Sequence, residues 1–349
     1  MKPFKKVLVL IMIIVMVNTL LVGCVQKVMN IDSRLVEGRS VKVGVLQYKA
    51  SDIYISEVRQ NLEQIQNENE GKVQFTFFDA NGNQTIQNEN LDEAFKEGTD
   101  LLLVNLVDTR AAQAVINKVK EKNIPVILFN REPNTTDALK SYSKDCYIGT
   151  EAEEAGPLQG KIIVNAWNTK KNVIDRNGDN VMQYIMLQGE RDSIQSIQRT
   201  EYCILAIKDA GIQMEELALR VCNWDQEQAR SDIETLLLRY GDHIEVIISN
   251  NDAMAIGAIE ALQAHGYNKG NNSPTVAVFG IDGTLTAQDL IKKGLMMGTV
   301  GENRHDLAEA LYICGMNLVN GKSPIDGTKY KFDRTGISIR IPYKEYTGK

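Results

Sequence analysis

The stretch IEVIISNNDAMAIGAIEALQAH, residues 244–265, contains one complete strand-and-helix unit. Its first part, 244–250, is a short run rich in Ile that predicts a buried β-strand. Its second part, 253–265, predicts a helix that begins soon after the strand ends. Strands of this kind that alternate with helices form parallel sheets with helices on both faces. The stretch therefore predicts an α/β fold.

The same unit repeats along the chain on both sides of this stretch. Further strands are predicted at residues 41–48, 73–80, 100–106, 124–130, 146–150, 184–187, 217–222, 275–282 and 298–300. Helices are predicted at 53–69, 111–122, 196–210 and 226–239 and in segments that end at 96, 167, 293 and 319; a strand-like piece follows at 337–343. The run at 146–150 is interpreted as the start of a second series. Because these units exceed one compact sheet, we predict two doubly wound parallel-sheet lobes joined by a hinge.

The N-terminus has the pattern of an export signal. Lys2, Lys5 and Lys6 precede an apolar stretch that ends in LVGC, residues 21–24. Charge, length and the small residue before Cys24 predict a signal peptide over residues 1–23. The LVGC string resembles a bacterial lipobox, which implies lipidation of Cys24 and a lipid-anchored tether over 24–40 on the outer face of the membrane. An uncleaved anchor helix is the alternative.

Composition narrows the class of protein further. The formal net charge is −6, and removal of residues 1–23 with their three Lys moves it to −9. An acidic exported protein is a poor candidate for binding nucleic acid. The remaining cysteines show no close pairing, so we interpret them as small buried hydrophobic residues.

Residues 175–183, DRNGDNVMQ, place oxygen-bearing groups at alternate positions. This is the spacing of an EF-hand calcium loop. The potential ligands are Asp175, Asn177, Asp179, the carbonyl of Val181, and Gln183. The bidentate Glu of an EF-hand is missing, because Met186 of a predicted buried strand occupies its position. From spacing alone, a cation site that a distant acid completes and a solvated polar turn remain equally open.

Polar and aromatic side chains follow the predicted strands. They are Asp52, Tyr54, Asn130, residues 193–199, Trp224, Asn251, Asp252 and Asp282. In open α/β sheets the ligand lies outside the carboxyl ends of the strands, so these side chains are expected on one rim. Planar groups with paired hydrogen bonds suit adjacent hydroxyls, and aromatic faces cover apolar C–H surface. The set predicts a neutral polyhydroxylated ring as ligand, although any single Asn or Asp could be a turn former.

Catalysis has less support in the sequence. The chain contains three His, no G-x-S-x-G motif, and no G-x-G-x-x-G motif after its first strand. Paired carboxylates could hydrolyse a glycoside, but the sequence identifies no acid and base at a suitable separation. We therefore predict a binding protein and keep a glycoside-acting enzyme as the less favoured alternative.

Several strings resemble one known family along residues 41–343. They are VGVLQYK, VNLVDTRAAQAVI, NIPVILFNREP, the 175–183 loop, IEVIISNNDAMAIGAIEAL, VFGIDG and MMGTV. The chain resembles the periplasmic glucose/galactose-binding proteins, the substrate-binding subunits of sugar ABC importers. The resemblance implies a type I periplasmic binding protein fold, a galactose- or glucose-like hexose as ligand, and an ABC permease as partner. A sensory module that presents sugar to a chemoreceptor or sensor kinase is the alternative.

The resemblance also implies the site residues. For the sugar they are Asp52, Tyr54, Asn130, Ser193, Gln195, Arg199, Trp224, Asn251, Asp282 and Glu302. Ser193, Gln195 and Glu302 replace the His, Asp and Asn of the family, so the pocket is expected to persist while the exact sugar and anomer stay open. Asn303, next to Glu302, is the alternative ligand contact at that position. Glu245 matches the carboxylate that completes a structural calcium site with the loop ligands.

Capture is expected to occur by closure of the lobes about a hinge in a monomer. We assign residues 41–148 and 303–329 to the N-terminal lobe. Residues 149–302 and 330–349 are assigned to the C-terminal lobe, which includes the calcium loop. The chain is expected to cross between the lobes near 148, 302 and 330.

Overall fold

The computed structural model describes residues 39–270, 273–301 and 303–348. The predicted signal peptide, Cys24, Glu302 and nearly all of the predicted tether lie outside the described residues. Among the residues described, no helix is both long and apolar enough to cross a bilayer.

The first part of the chain forms alternating strands and helices. In order they are β1 Val41–Gln47, α1 Ile53–Glu68, β2 Val73–Asp79, α2 Gln84–Lys96, β3 Leu101–Val104, α3 Ala112–Glu121, β4 Val126–Phe129, α4 Asp137–Lys140 and β5 Asp145–Gly149. A short 3₁₀ turn, Thr109–Ala111, precedes α3. The five strands lie in one parallel sheet in the order β5-β4-β3-β1-β2.

The rest of the chain builds a second sheet of the same kind and returns one helix and one strand to the first lobe. The elements of this part are α5 Ala152–Ile174, β6 Val181–Gln188, α6 Ile194–Asp209, β7 Gln213–Val221, α7 Gln226–Tyr240, β8 Val246–Ser249, α8 Asp252–Ala264, β9 Ala277–Asp282, α9 Leu285–Lys292, β10 Gly298–Gly301, α10 Arg304–Val319, β11 Ser338–Arg340 and β12 Lys344–Tyr346. The strand order is β12-β10-β9-β8-β6-β7, and only β12 is antiparallel to its neighbour. This confirms the predicted α/β class with two doubly wound lobes.

The sheet pairing corrects two assignments made from the sequence. The run at 146–150 does not start a second series, because β5 pairs with β4 in the first sheet. The tail 330–349 does not belong wholly to the second lobe, since β11 pairs with β5 whereas β12 pairs with β10. A short apolar strand carries no local record of its lateral neighbour, so the sequence could not assign these pieces.

The described chain passes between the sheets in three places. It does so after β5, between β10 and α10, and between β11 and β12; α10 packs against α1 of the first lobe. The third crossing lies near 341–343 and not near 330. Arg340 fastens this region, since its guanidinium bonds to Glu132 at 2.6 Å, Asp333 at 2.8 Å and the Thr150 carbonyl at 2.8 Å.

Local capping explains why polar side chains collect at one rim of each sheet. Helices α1, α6 and α8 are capped by the residues that precede them, Asp52, Ser193 and Asn251, whose side chains accept from the backbone N–H of Ile55, Ser196 and Met254. An oxygen-bearing side chain at this position satisfies a free N–H of the first turn. Because each of these helices follows the carboxyl end of a strand, the caps lie where a ligand of this fold binds.

Candidate ligand-binding site

Ten side chains, five from each lobe, enclose one cavity at the carboxyl ends of the two sheets. They are Tyr48, Asp52, Tyr54, Asn130, Arg131, Gln195, Arg199, Trp224, Asn251 and Asp282. Eight of them were predicted from the sequence. Of the other two predicted residues, Ser193 is buried as the cap of α6 and does not line the cavity, and Glu302 is not among the described residues.

Two lining residues were missed. The Tyr48 hydroxyl donates to Asp52 Oδ2 at 2.5 Å, and the Arg131 guanidinium lies 4.6 Å from the centroid of the Tyr48 ring. Arg131 also reaches the second lobe, where its Nη2 lies 2.7 Å from a Glu190 carboxylate oxygen. Both follow a strand end within two residues, β1 for Tyr48 and β4 for Arg131, so the strand-end rule could have found them.

The two lining Asn residues offer hydrogen-bond donors to the cavity. Asn130 Oδ1 accepts from Asn105 Nδ2 at 3.0 Å, and Asn251 Oδ1 accepts from the Met254 N–H at 2.9 Å. Since protein donors occupy each amide oxygen, the NH₂ groups are the side that can serve a ligand; one N–H of Asn251 donates to the Trp224 carbonyl at 3.4 Å, which leaves its second N–H. Both residues therefore suit acceptor oxygens, which every hydroxyl carries.

Two partly buried carboxylates, Asp52 and Asp282, supply the acceptors. Burial raises the pKa of the Asp52 carboxyl, against the effect of the hydrogen bond from Tyr48. Burial also holds the pKa of Asp282 well above its usual range; Arg199, whose Nη1 lies 3.5 Å from Asp282 Oδ1, opposes the shift. A carboxylate held in such a place gains most from a ligand that donates hydrogen bonds to it. With Arg131 and Arg199, the lining carries two acids and two bases, which favours a neutral ligand.

The predicted aromatic pair lies in this same cavity. Tyr54 is 5% exposed and comes from the first lobe. Trp224 comes from the second lobe and packs against Gly189, where an added Cβ would lie 2.3 Å from the indole ring. The indole Nε1 is buried and has no protein partner, so it provides a further donor for a ligand oxygen.

Polar contacts join the lobes around the cavity. Gln195 Nε2 donates to the Asn130 carbonyl at 3.0 Å, and Lys49 Nζ lies 2.7 Å from Asp225 Oδ2. Together with the Arg131–Glu190 pair, they link loops that follow strands of different sheets. The cavity is therefore enclosed by both lobes and not by either one alone.

The predicted cation loop lies at the opposite end of the second sheet. Glu245, directly before β8, accepts from the backbone N–H groups of Arg176 at 2.8 Å and Gln183 at 3.4 Å. The side chains of Asn177 and Gln183 both donate to Asp179 Oδ2, at 3.0 and 2.9 Å. The loop and the strand that carries Glu245 thus meet as the resemblance implied.

The donor set fits a hard cation. Asp175 Oδ1 is buried and has no hydrogen-bond partner, which is costly for a carboxylate. Burial raises the pKa of Glu245, and the nearby charge of Asp175 raises it further. Within the described residues no three His, Cys, Asp or Glu side chains group closely enough to hold a metal by themselves. The set depends instead on carboxylates together with carboxamides and a carbonyl, which are ligands that calcium accepts.

Two α/β lobes that enclose a polar cavity at their strand ends define a two-lobed solute-binding protein. A family model for the periplasmic binding protein domain matches residues 43–323 of the chain. A D-galactose/methyl-galactoside binding periplasmic protein of Haemophilus influenzae is 36% identical over 304 residues, which cover 86% of this chain and 88% of that protein. The chain belongs to the periplasmic binding protein family.

Solved structures agree with this fold. A solute-binding protein of an ABC transporter from Actinobacillus succinogenes with bound D-allose has a TM-score of 0.72 at 19% identity and covers 88% of this chain and 98% of that one. Another from Bacillus halodurans, with bound myo-inositol, has a TM-score of 0.71 at 24% identity and covers 89% and 96%. Identities this low show the fold alone. The family comprises extracytoplasmic substrate-binding proteins and not enzymes. This confirms the prediction that the protein is a binding protein and not an enzyme.

Proposed function

We propose that the protein captures a monosaccharide between its lobes and delivers it to an ABC permease. The observation that supports this most directly is the lining of the interlobe cavity at the strand ends. It combines amide and guanidinium donors, two carboxylate acceptors and three aromatic side chains, from both lobes. Adjacent hydroxyls each donate and accept, and the C–H faces of a sugar ring suit aromatic surfaces.

The mechanism is closure around a hinge. Asp52, Tyr54 and Asn130 hold the ligand from the first lobe, and Arg199, Trp224 and Asp282 hold it from the second. A ligand that needs both sets binds the closed conformation better and shifts the population towards it. The Gln195–Asn130 bond and the two interlobe ion pairs add contacts that exist only when the lobes meet.

A hexose of the galactose or glucose type is the proposed ligand. The Haemophilus relative, which is named for D-galactose and methyl-galactoside, supports this choice. Gln195 alters the pocket, because its amide is committed to the Asn130 carbonyl through Nε2 and offers Oε1 as an acceptor. A monosaccharide with a different hydroxyl pattern is therefore a natural second member of the test panel.

Calcium is proposed as a structural ion. Asp175, Asn177, Asp179, the Val181 carbonyl, Gln183 and Glu245 would hold it. Its charge would offset the carboxylates gathered there and tie the loop to the start of β8. We also propose, from the sequence pattern at Cys24, that a lipid anchor holds the protein as a monomer at the outer face of the membrane.

The test is calorimetric titration of the purified protein with a panel of hexoses, pentoses and inositols. We expect one-to-one binding of at least one monosaccharide. Trp224→Ala should abolish the heat of binding without unfolding the protein, as checked by circular dichroism. Absence of binding across the whole panel would contradict the proposal.

A further inference from the structure

Asn250 occupies the first position of the NND string and does not line the cavity. It lies between the end of β8 and the cap of α8, and it is completely buried. Its backbone N–H donates to the Leu187 carbonyl at 2.9 Å, which continues the pairing of β8 with β6. A buried carboxamide needs partners for its oxygen and its NH₂ group, and here these partners lie on other elements.

The Asn250 side chain forms a hydrogen bond to the loop that follows β6. Its Oδ1 accepts from the Gly189 N–H at 3.2 Å. Gly189 is the residue against which the Trp224 ring packs, so closely that no side chain could replace its hydrogen. Trp224 itself has a φ of 63° and Asn223 a φ of 51°, so the indole is presented from strained backbone. The position of Gly189 therefore determines where the Trp224 ring lies.

The same side chain fastens α6. Ser196 Oγ donates to Asn250 Oδ1 at 3.2 Å, and Asn250 Nδ2 donates to Thr200 Oγ1 at 3.0 Å. These two hydroxyls lie one turn apart and directly follow Gln195 and Arg199 in sequence. The Asn250 carbonyl also accepts from Arg199 Nη1 at 2.8 Å. The helix turn that carries two lining side chains is thus bound to this one residue.

We propose that Asn250 is the positioning residue of the second lobe's half of the pocket. The Asn250 carboxamide positions the Trp224 ring through Gly189 and positions Arg199 through α6. The backbone carbonyl of Asn250 also holds Arg199, and Asn251 is the next residue in the chain. Each of these groups faces the ligand, whereas Asn250 does not. This inference rests on the proposed function for its effect on affinity, but its effect on Trp224 needs no ligand.

The experiment compares Asn250→Ala with a matched control, Asn317→Ala. Asn317 is also buried and bonds two carbonyls, of Pro324 and Asp326, but it lies in α10 away from the cavity. We expect both variants to lower the melting temperature. Only Asn250→Ala should weaken binding of the monosaccharide found for the wild type, by at least about tenfold. Asn250→Asp keeps the acceptor oxygen for Gly189 and Ser196 and should bind more tightly than Asn250→Ala, while the carboxylate that it buries should lower the melting temperature further.

Fluorescence supplies a readout that stability alone would not change. The chain has two Trp, so Trp167→Phe leaves Trp224 as the single emitter. In that background Asn250→Ala should shift the Trp224 emission without ligand, and Asn317→Ala should not. Wild-type affinity and emission in folded Asn250→Ala would overturn the proposal, as would equal losses in the control. If the wild type binds no sugar, the proposed function fails. The Trp224 emission of the Asn250→Ala variant then still tests whether Asn250 positions the indole ring.

Discussion

The two ends of β8 carry the same kinds of side chain but differ in their charge balance. At its carboxyl end, Asp52 and Asp282 share the cavity with Arg131 and Arg199. At its amino end, three carboxylates lie in or beside the loop at 175–183 with the side chains of Arg176 and Lys171, the latter 4.0 Å from Asp175. The first arrangement suits a neutral ligand and the second a cation. Residue type alone therefore does not define a site; the partners of each oxygen do.

A matched pair of substitutions tests whether the two ends of β8 serve different ligands. Asp282→Asn replaces a partly buried carboxylate of the cleft by an amide, and Asp179→Asn makes the same chemical change at an exposed position of the loop. We expect Asp282→Asn to weaken sugar binding about 100-fold, since hydrogen bonds to charged groups are the strongest ones. Asp179→Asn should leave sugar affinity within about twofold, because its carboxylate lies at the other end of the sheet. Titration calorimetry measures both.

The opposite result would remove the distinction between the two ends. If Asp179→Asn lost sugar affinity as Asp282→Asn does, the loop would belong to the sugar site. If neither changed the affinity, Asp282 would have no ligand to hold. Thermal unfolding of both variants controls for misfolding.

Removal of calcium should act on stability and leave the cleft alone. We expect a calcium chelator to lower the melting temperature by about 5–10 °C, the loss that follows when an ion bound well above its Kd is withdrawn. Sugar stoichiometry should stay the same. Glu245→Gln should lower the melting temperature in calcium and reduce the further effect of the chelator. An identical melting curve with and without chelator would contradict the proposed ion.

Asp145 differs from the acids at both ends of β8, because it is buried without a hydrogen-bond partner. It begins β5, both carboxylate oxygens lack hydrogen-bond partners, and burial raises the pKa of the group to about 8. The folded state therefore holds a proton that the unfolded state releases near pH 4. The contribution of Asp145 to the free energy of unfolding is therefore most favourable below about pH 4 and is lost as the pH rises to about 8.

Asp145→Asn should stabilise the protein at pH 8 by about 1–3 kcal/mol and flatten the dependence of stability on pH between about 4 and 8. Urea unfolding at several pH values measures this change. Asp137→Asn, at an exposed position of α4, is the control and should change neither quantity. Equal pH profiles for the wild type and Asp145→Asn would show that Asp145 is ionised at no cost in the fold.

The smallest expected effect concerns the rim of the cleft. The Lys49–Asp225 pair joins the lobes at 2.7 Å, but both side chains are about one-third exposed. Exposed pairs contribute about 0–1 kcal/mol and are screened by salt. Lys49→Met should therefore weaken sugar binding about two- to threefold at low salt and reduce the salt dependence of the Kd. A loss above about tenfold would assign Lys49 to the ligand itself.

Much of the cleft could be predicted because its signals are local. A capping side chain such as Asp52 or Asn251 must follow a strand and begin a helix, and both facts appear in a few consecutive residues. Ser193 shows the limit of this reasoning. The family resemblance implies that Ser193 contacts the ligand, whereas its side chain caps α6 and lies outside the cavity lining.

The sequence by itself determined the alternation of strands and helices, the rim that carries the polar side chains, and the spacing of the loop at 175–183. These depend on periodicity and on neighbours within a few residues. Only the tertiary structure shows that β11 pairs in the first sheet and that Arg131 pairs with Glu190 of the other lobe. Only the structure shows, too, that Asn250 bonds to Gly189 and α6. Such contacts join residues far apart in the chain, and their energy depends on packing that no local pattern records.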